Sequence, residues 1–353
     1  MGLASTDPHA EPDPHPNPEL SRVSSPNRGT AVRSLRRLLE TSGLPSALTI
    51  TEHPSSGRNR VFVVAGDGRR WIAKAGASGR ESWFYREVGP NLSWVPASSP
   101  VSDRAVTVTA YLEQAVSVED LARDSPSQAL SVLVSTAPLL AELHAWSPPS
   151  ASDPAPAANP AIPELAPVHV SEWLDGTEGS FHLLQSIQRR EMLCRALREA
   201  TAGVGPQGLI HGDIKADNIL RGPDGPLLID WELCGQGRVG WDVGCVVGSM
   251  LAVWIEGVDF RGTAPATWLQ DTVVPYQEIC DAVGQFVDDY RTRIAHEVPS
   301  MSVVTTYAAT WLATRTWAES LSIHWVKPTH LLRLVVAEGL LRNPTAIFGR
   351  RTW

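Results

Sequence analysis

Lysine and cysteine are both scarce in this sequence of 353 residues. Only three of its 30 basic residues are lysines, namely Lys74, Lys215 and Lys327. Because an ammonium is a compact point charge and a guanidinium is a planar fork, some sites cannot exchange one for the other. Each lysine therefore stands out against the chain's preference for arginine. The four cysteines form no CxxC pair, so neither a zinc centre nor a disulfide framework is predicted, and a reducing cytoplasm is the expected location.

Long apolar runs and excess positive charge are missing as well. The longest uncharged apolar run, residues 243–255, has 13 residues, whereas a transmembrane helix needs about 20. No basic segment followed by an apolar one opens the chain, so no secretory signal is expected. The net charge of -8 argues against a nucleic-acid or anionic-membrane partner. At about 100–200 residues per domain, the length allows two lobes.

Proline is concentrated in two segments. Residues 1–29 contain six prolines and almost no large apolar side chains, which predicts a disordered tail. Residues 147–167 contain seven prolines and are expected to form an insertion between helices. Residues 346–353 are expected to form a short tail.

The apolar pattern predicts a small β-rich lobe over residues 30–113. An amphipathic helix opens it, two strands joined by an Asp-Gly turn follow, and a helix and a further strand close it. These elements are predicted, in this order, at residues 30–47, 60–64, 71–75, 79–89 and 105–112.

Helical spacing dominates from about residue 127, which predicts a larger, mainly helical lobe over residues 114–345. The fold class is therefore α+β and bilobal. Helices are predicted over residues 180–202, 245–258, 272–296, 302–322 and 329–342.

The most informative segment is residues 208–232, GLIHGDIKADNILRGPDGPLLIDWE. A Pro-Asp-Gly turn between two short apolar runs predicts a β-hairpin. Asn218 precedes the first run and Asp230 follows the second, so the hairpin brings them together. Because an amide oxygen and a carboxylate suit a hard cation, we predict that these two residues bind Mg²⁺.

Asp213 lies five residues before Asn218 and follows His211 by two. This His-x-Asp-x-x-x-x-Asn spacing matches the catalytic loop of kinases, where the aspartate positions the acceptor hydroxyl and takes its proton. Lys215, two residues after Asp213, can reach a phosphoryl group in transfer. The segment predicts phosphoryl transfer, with Asp213 and Lys215 as catalytic residues.

Residues 211–218 and 229–232 together resemble the aminoglycoside phosphotransferase and choline kinase-like superfamily. The resemblance spans roughly residues 45–260 and extends more loosely to 345. It implies a protein-kinase-like fold that binds ATP and Mg²⁺ between its lobes and phosphorylates an alcohol group. One departure is the segment GRVGWD at 237–242, where the family often carries Gly-Asp-Pro-x-Trp-Asp, so the turn after Asp230 is expected to differ.

The resemblance also implies nucleotide-binding residues in the β-rich lobe. The segment 55–60 is similar to the family's phosphate-covering loop, which makes Ser56, Gly57 and Asn59 candidates. Lys74 stands on the second hairpin strand, where the family places the lysine that binds the α- and β-phosphates.

A helix glutamate is expected to pair with Lys74. Glu81, which opens an E-x-x-F-Y pattern, is the favoured residue, and Glu87 is the alternative. Tyr111 and Leu112 lie in a segment that resembles the inter-lobe hinge, whose backbone would meet a purine.

Three further residues match family positions with supporting roles. His144 and Asp242 are expected to be structural, with Asp242 steadying the catalytic loop. Glu232 is expected to hydrogen-bond the loop without binding metal.

The acceptor is less well defined by the sequence. Residues 241–300 contain nine acidic residues and three arginines, and an acidic wall would suit a cationic acceptor such as an aminoglycoside, another basic antibiotic or a basic peptide. Solvated helix faces are the alternative interpretation of the same acids.

A second resemblance concerns residues 229–232, 241–244 and Trp254, which are similar to the kinase subunits of class V lanthipeptide and thioamitide synthetases. It implies phosphorylation of Ser or Thr in a ribosomal precursor peptide, with separate lyase and cyclase subunits as partners. Phosphorylation of a small molecule, as in antibiotic resistance or antibiotic biosynthesis, is the equal alternative. A catalytically silent pseudokinase that only binds peptide is the alternative from another class.

Overall fold

The computed structural model describes residues 28–45, 47–53, 59–101, 103, 105–147, 155–158, 160, 162, 165, 176–260, 272–294 and 297–348. Ser56 and Gly57 lie outside the described residues, as do residues 1–27 and most of the 147–167 insertion. The described residues form a sheet-containing N-terminal lobe and a larger helical C-terminal lobe, which confirms the predicted fold class.

The N-terminal lobe is an antiparallel sheet packed against one helix. Helix α1 (Arg28–Thr41) precedes strands β1 (Thr49–His53), β2 (Arg60–Gly66), β3 (Arg69–Ala75) and β4 (Val106–Ala110), which lie in this order in the sheet. Asp67 and Gly68 have φ values of 50° and 70°, as the two-residue turn between β2 and β3 requires. Apolar side chains of α1 and of the sheet share one small core.

Helix α1 has different bounds from the predicted ones. It starts at Arg28, so the first two of its residues fall in the segment expected to be a tail. It ends at Thr41 rather than at residue 47, because Gly43 takes a φ of 83° and the Leu44 amide donates to the Leu39 carbonyl at 3.1 Å. This is the Schellman arrangement, which stops a helix.

Helix α2 (Gly79–Glu87) follows β3 and carries the glutamate expected to pair with Lys74. The hydroxyl of Ser78 accepts a hydrogen bond from the Glu81 amide at 3.2 Å and caps the helix. The same hydroxyl donates to the Glu232 carbonyl of the other lobe at 3.0 Å. One side chain therefore sets both the start of α2 and its position relative to the C-terminal lobe.

Two small sheets position the motif segment. Strand β5 (Val116–Ser117) pairs with β7 (Ile219–Arg221), which forms the predicted hairpin with β8 (Pro226–Leu228). Strand β6 (Gln207–Ile210) pairs with β9 (Gly235–Arg238). The segment with the unusual sequence at 237–242 is therefore the end of a strand followed directly by a helix.

The C-terminal lobe is a packed set of helices. Among the described residues they are α3 (Val118–Asp124), α4 (Pro126–Val134), α5 (Ala137–Ala145), α6 (Glu178–Gln188), α7 (Glu191–Ala202), α8 (Val239–Glu256), α9 (Tyr276–Arg293), α10 (Met301–Ser320), α11 (Pro328–Arg342) and α12 (Thr345–Phe348).

The single helix predicted over residues 180–202 is wrong, because the chain forms α6 and α7 with a break between them. Arg190 is extended there, with φ -103° and ψ 93°. The apolar residues Ile187 and Leu193 are six apart, which breaks the helical period of three or four. The residues expected to form a tail from 346 also start within a helix, α12.

Part of the proline-rich insertion packs against the C-terminal lobe. The Ala158 amide donates to the Gln236 carbonyl at 2.8 Å, and the Gln236 amide donates to the Pro156 carbonyl at 2.7 Å. Leu165 is fully buried. The insertion lies between α5 and α6, as predicted. Its described residues pack against the C-terminal lobe and form hydrogen bonds beside β9.

Helix α8 is long and apolar enough to cross a membrane, yet 94% of that stretch is buried inside the protein. Gly244 and Gly248 allow α10 to approach, since a Cβ at either would meet Tyr307 or Trp311 at 2.5–2.6 Å. This helix is the centre of the C-terminal core.

Candidate active site

A cavity of about 370 Å³, here called the first cavity, is lined by residues of both lobes. The N-terminal sheet contributes Ile72 and Lys74, and the connection after β4 contributes Tyr111 and Leu112. The C-terminal lobe contributes Asn218, Leu220, Ile229 and Asp230. Six of the predicted site residues line this cavity, namely Lys74, Glu81, Tyr111, Leu112, Asn218 and Asp230, whereas Asp213, Lys215 and Asn59 are not among its lining residues.

Lys74 is the centre of the charges in this cavity. Its Nζ atom lies 3.0 Å from Glu81 Oε2, 2.5 Å from Asp230 Oδ1 and 3.2 Å from Glu232 Oε2. Burial lowers the pKa of Lys74, but these three carboxylates outweigh burial and the net shift is upward. The lysine is therefore held positively charged where the two lobes meet.

Glu81 is the glutamate that pairs with Lys74, as predicted, whereas Glu87 pairs with Arg86 at 2.7 Å. Only 3% of Glu81 is exposed. Burial raises its pKa to about 7, and the nearby Lys74 ammonium offsets only part of that rise. Ionisation of this carboxyl is thus sensitive to pH near neutrality.

Asn59 is the one described candidate of the phosphate-covering loop. Its Nδ2 atom donates to Glu232 Oε2 at 2.7 Å. Glu232 therefore binds both this loop residue and Lys74, which agrees with its expected role as a hydrogen-bonding helper.

The catalytic-loop candidates contact each other directly. Lys215 Nζ donates to Asp213 Oδ2 at 2.8 Å. The amide nitrogen of Asn218 donates to the same carboxylate oxygen at 3.1 Å and to the Asp213 carbonyl at 2.9 Å. The Asp213 carboxylate is thus held in one orientation by an ammonium and an amide.

Asp242 binds the backbone of this loop. Its carboxylate accepts the amides of His211 at 2.7 Å and Gly212 at 3.0 Å, and lies 3.3 Å from His144 Nε2. Gly212 has a φ of 85°, and a Cβ there would lie 2.6 Å from the Leu233 carbonyl oxygen, so only glycine fits. Asp242 and His144 are fully or nearly fully buried and have the structural positions expected of them.

Asn218 and Asp230 fit a hard divalent cation. The hairpin register brings the Ile229 amide within 3.0 Å of the Asn218 carbonyl, and both candidate ligands line the first cavity. The Asn218 side-chain nitrogen donates a hydrogen bond to the Asp213 carbonyl. The side-chain oxygen of Asn218 is therefore the atom available to bind a cation. Among the described residues, no group of three or more His, Cys, Asp or Glu side chains could hold a metal.

Asp230 has a φ of 68°, in the left-handed region that a non-glycine residue seldom adopts. The following residue, Trp231, is fully buried and stacks on Phe84 of α2 with ring centroids 3.6 Å apart. It also lies 4.4 Å from the His211 ring. This packing holds the chain in the turn that carries Asp230.

A second cavity, of about 840 Å³, borders the other side of the catalytic loop. Ala216 and Asp217 of the loop line it, together with residues of α3, α8, α10 and α11. Of the nine acidic residues expected to make an acidic wall at 241–300, Glu256 is the one described residue that lines it. The pKa of Glu119, another lining residue, is raised by burial and by the Asp217 carboxylate.

Several lining residues were not predicted from the sequence. Ile72 lies two residues before Lys74 on the same strand face, and this alternation was the signal that could have identified it. Arg315 and Glu319 form an i, i+4 pair on α10, a spacing that could have identified them as partners. Arg333 carries no such signal, because its contacts with Glu319 and Glu256 join different helices.

Comparison with known proteins places this arrangement in a family. Residues 49–277 match the model of the phosphotransferase enzyme family. No curated protein matches the sequence significantly. Among solved structures, the amicoumacin kinase hAmiN, in complex with AMP-PNP, Ca²⁺ and Ami, has a TM-score of 0.58 at 11% identity, covering 94% of this chain and 98% of that one.

Two further solved structures are similar. Choline kinase LicA from Streptococcus pneumoniae has a TM-score of 0.51 at 13% identity, covering 88% of this chain and 98% of that one. Aminoglycoside phosphotransferase APH(4)-Ia has a TM-score of 0.51 at 14% identity, covering 92% of this chain and 100% of that one. At such low identity these likenesses establish a shared fold.

Proposed function

Since this chain belongs to the phosphotransferase enzyme family, we propose that it transfers the γ-phosphoryl group of ATP to a hydroxyl group with the help of Mg²⁺. The observation that carries the proposal is the contact between Lys74 of the N-terminal sheet and Asp230 of the C-terminal hairpin. Both residues line the first cavity, which supports a role for one in phosphate binding and for the other in metal binding.

The first cavity supports nucleotide binding. Ile72 comes from the N-terminal sheet, and Leu220 and Ile229 come from the C-terminal hairpin. Such apolar side chains from two lobes suit the two faces of a flat purine. Lys74 would bind the α- and β-phosphates, with Glu81 holding its ammonium in place.

Asn218 and Asp230 would hold Mg²⁺, with phosphate oxygens and water completing its oxygen ligands. When bound, the ion neutralises the negative charge of the phosphates. Lys74 and the ion would compete for the Asp230 carboxylate. Binding of the ion would therefore weaken the ion pair between Asp230 and Lys74.

Asp213 would orient the acceptor hydroxyl and take its proton. A bond forms between the acceptor oxygen and the γ-phosphorus, the bond from that phosphorus to the β,γ-bridging oxygen breaks, and ADP leaves with that electron pair. Lys215, 2.8 Å from the Asp213 carboxylate, would offset charge on the moving group.

The acceptor is a small molecule or a Ser or Thr hydroxyl of a precursor peptide. The similar kinases act on compounds such as choline, which supports the first class. The volume of the second cavity, about 840 Å³, is compatible with either. A precursor-peptide acceptor would require separate lyase and cyclase partners to complete a lanthipeptide or thioamitide product.

The proposal is tested by incubating the full-length protein with ATP, Mg²⁺ and a panel of amino alcohols, aminoglycosides and serine peptides. ADP formation and phosphate adducts are measured by mass spectrometry. Asp213→Asn should lower turnover by about 10²–10⁴-fold with ATP binding retained. The matched control is Asp224→Asn, in the exposed hairpin turn, which should leave turnover unchanged. Unchanged turnover in Asp213→Asn would refute the assigned role.

A pseudokinase gives a different result in the same experiment. It would bind Mg·ATP, shown by calorimetry, yet form no phosphate adduct with any acceptor. The ion pairs that position Lys74 and Asp213 favour the active enzyme.

A further inference from the structure

Helix α11 directs its central charge into the protein and apolar side chains outward. Arg333 is 6% exposed and forms ion pairs with Glu319 and Glu256, both at 2.7 Å. Leu331 and Val335, on the opposite side of the helix, are 42% and 51% exposed. A surface helix normally presents polar residues to solvent. The reversed pattern indicates that the outer side of α11 is a contact surface.

Three residues form a row on this outer side, Leu331, Val335 and Gly339, here called the α11 ridge. They are spaced four apart in sequence, so they lie one above another on the helix. Gly339 is exposed. Apart from its own helix backbone and chain neighbours, no heavy atom of the described residues lies within 4 Å of a Cβ built there. The ridge therefore consists of two projecting side chains followed by a gap.

The gap belongs to a third cavity, an apolar groove of about 600 Å³. Gly339 and Val336 of α11 line this groove, and Trp254, Tyr276 and Ile347 of other helices line it as well. No described residue that lines it is charged. A groove of this composition suits an apolar side chain from another molecule.

The α11 ridge is symmetric about Val335, because Leu331 lies four residues before it and Gly339 four residues after it. If two such helices cross antiparallel with Val335 facing Val335, Leu331 of each copy lies over the gap at Gly339 of the other. A two-fold interface requires a patch that is complementary to itself in this way. A parallel pair would instead place Leu331 against Leu331 and leave both gaps empty, which packs poorly.

The charges at the ends of α11 are compatible with the antiparallel orientation. Lys327 directly precedes the helix, and Arg342 in its last turn pairs with Glu338 at 2.8 Å. An antiparallel crossing brings Lys327 of one copy toward the C-terminal carbonyl groups of the other helix, where a cation is stabilising. The Glu338 carboxylate offsets the charge of Arg342 and so reduces its repulsion of that lysine.

We propose that this surface binds a second copy of the chain. In the resulting two-fold dimer, α11 of one copy crosses α11 of the other antiparallel at Val335, and Leu331 of each copy fills the gap at Gly339 of the other. Because the contact is built on one helix and one groove from each copy, we expect a weak dimer with a Kd of about 1–100 µM. The proposal goes beyond the proposed function and does not depend on it, since no residue of the ridge lines the first cavity.

The first experiment is sedimentation equilibrium of the full-length protein at about 1–200 µM. Leu331→Lys and Gly339→Glu should each raise the Kd of the dimer at least about tenfold, because one removes the projecting side chain and the other fills the gap. Ser34→Lys adds a charge at an exposed position of α1 in the other lobe and should leave the Kd unchanged. Circular dichroism checks that each variant is folded.

A double variant tests the orientation of the two helices. In the antiparallel dimer, the lysine of Leu331→Lys faces the glutamate of Gly339→Glu in the other copy, so the two changes together should restore at least about tenfold of the lost affinity. The two positions cannot pair within one chain, because eight residues of helix rise about 12 Å. A double variant that associates no better than either single variant overturns the proposed orientation.

Cross-linking at the symmetry axis is a second, independent measurement. Val335 of each copy faces Val335 of the other, so Val335→Cys should form a covalent dimer with a short bis-maleimide reagent. The wild-type protein, whose Cys280 is partly exposed, gives the background, and Ser34→Cys is the matched control. A yield for Val335→Cys no higher than that of Ser34→Cys contradicts the dimer.

Two results of the sedimentation experiment overturn the inference. One is a wild-type protein that stays monomeric at about 200 µM. If removal of residues 349–353 then allows association, that C-terminal segment, and not a second copy, is the occupant of the groove. The other is a wild-type dimer whose Kd neither Leu331→Lys nor Gly339→Glu changes, which would place the interface on another surface. Neither result bears on phosphoryl transfer, so the proposed function is tested separately.

Discussion

Asp217 and Asn218 are consecutive residues that line different cavities, Asn218 the first and Asp217 the second. Both belong to the short 3₁₀ turn Ala216–Asn218 that follows the catalytic-loop lysine. The turn therefore lies between the first cavity and the second. Asp213, four residues before Asp217, belongs to the same loop, and its carboxylate accepts a hydrogen bond from the Asn218 side chain at 3.1 Å.

Lys74→Met should reduce kcat/KM for ATP by about 10²–10³-fold, because it removes the ammonium that pairs with Glu81 and Asp230 and that we propose binds the nucleotide phosphates. Arg69→Met, an exposed change on the same strand, is the control and should have no effect. Steady-state kinetics with varied ATP measure both. A Lys74→Met enzyme with the wild-type kcat/KM would remove Lys74 from the nucleotide site.

The activity should depend on pH through Glu81. Because its pKa is raised to about 7 by burial, this carboxyl is protonated below that pH and loses its ion pair with Lys74. We expect kcat/KM for ATP to fall as the pH decreases through about 7. The contribution of Glu81 to folding stability depends on pH in the opposite direction to the activity. This contribution is fully present below the pKa that the carboxyl has in the unfolded chain, and it is lost as the pH rises through about 7.

Glu81→Gln removes this ionisation and is the direct test. The variant should have a lower kcat/KM at pH 8 and a flatter profile between pH 6 and 8. A profile with the wild-type shape would show that another group is responsible.

Trp231→Ala should lower the free energy of unfolding by about 3–5 kcal/mol, because a fully buried ring stacked on Phe84 is lost. Trp231→Phe should cost less, about 1–2 kcal/mol, since it keeps a ring on Phe84 and removes an indole N–H that has no hydrogen-bond partner among the residues the structure describes. Urea denaturation measures both. Trp325→Ala, at a tryptophan that is 67% exposed, should stay within about 0.5 kcal/mol of wild type.

Glu319→Gln should destabilise the protein at neutral pH. Burial raises the Glu319 pKa, but His330, Arg333 and Arg315 outweigh it and lower the value to about 2. A lowered pKa means that the stabilisation is present above the unfolded value of 4.5 and is lost as the pH falls toward 2. About 2 kcal/mol is expected, which allows for screening by solvent.

The measurement is the difference in unfolding free energy between wild type and Glu319→Gln as a function of pH. It should be constant between pH 5 and 8 and should shrink below about pH 4.5. Glu178→Gln, at an exposed carboxylate, is the control. If the difference in unfolding free energy between wild type and Glu319→Gln grows as the pH falls, the assigned contacts of Glu319 with Arg315, His330 and Arg333 are wrong.

The elements predicted well are those that short stretches of sequence specify. The Asp67-Gly68 turn needs positive φ at both positions, which this residue pair favours. The hairpin between Asn218 and Asp230 likewise follows from one local turn. Predicted helix boundaries were less accurate, as at Thr41, because capping depends on a single glycine.

The sequence by itself determined the protein-kinase-like arrangement and the side chains gathered around Lys74, since the spacing within 208–232 and the strand hairpin of the N-terminal lobe act over a few residues. Only the tertiary structure decided the ion pairs between elements in the second cavity, those of Arg333 with Glu319 and Glu256 and that of Arg315 with Asp217. These pairs depend on how α8, α10, α11 and the catalytic loop pack together, and such packing between elements leaves no periodic or spacing signal in the chain.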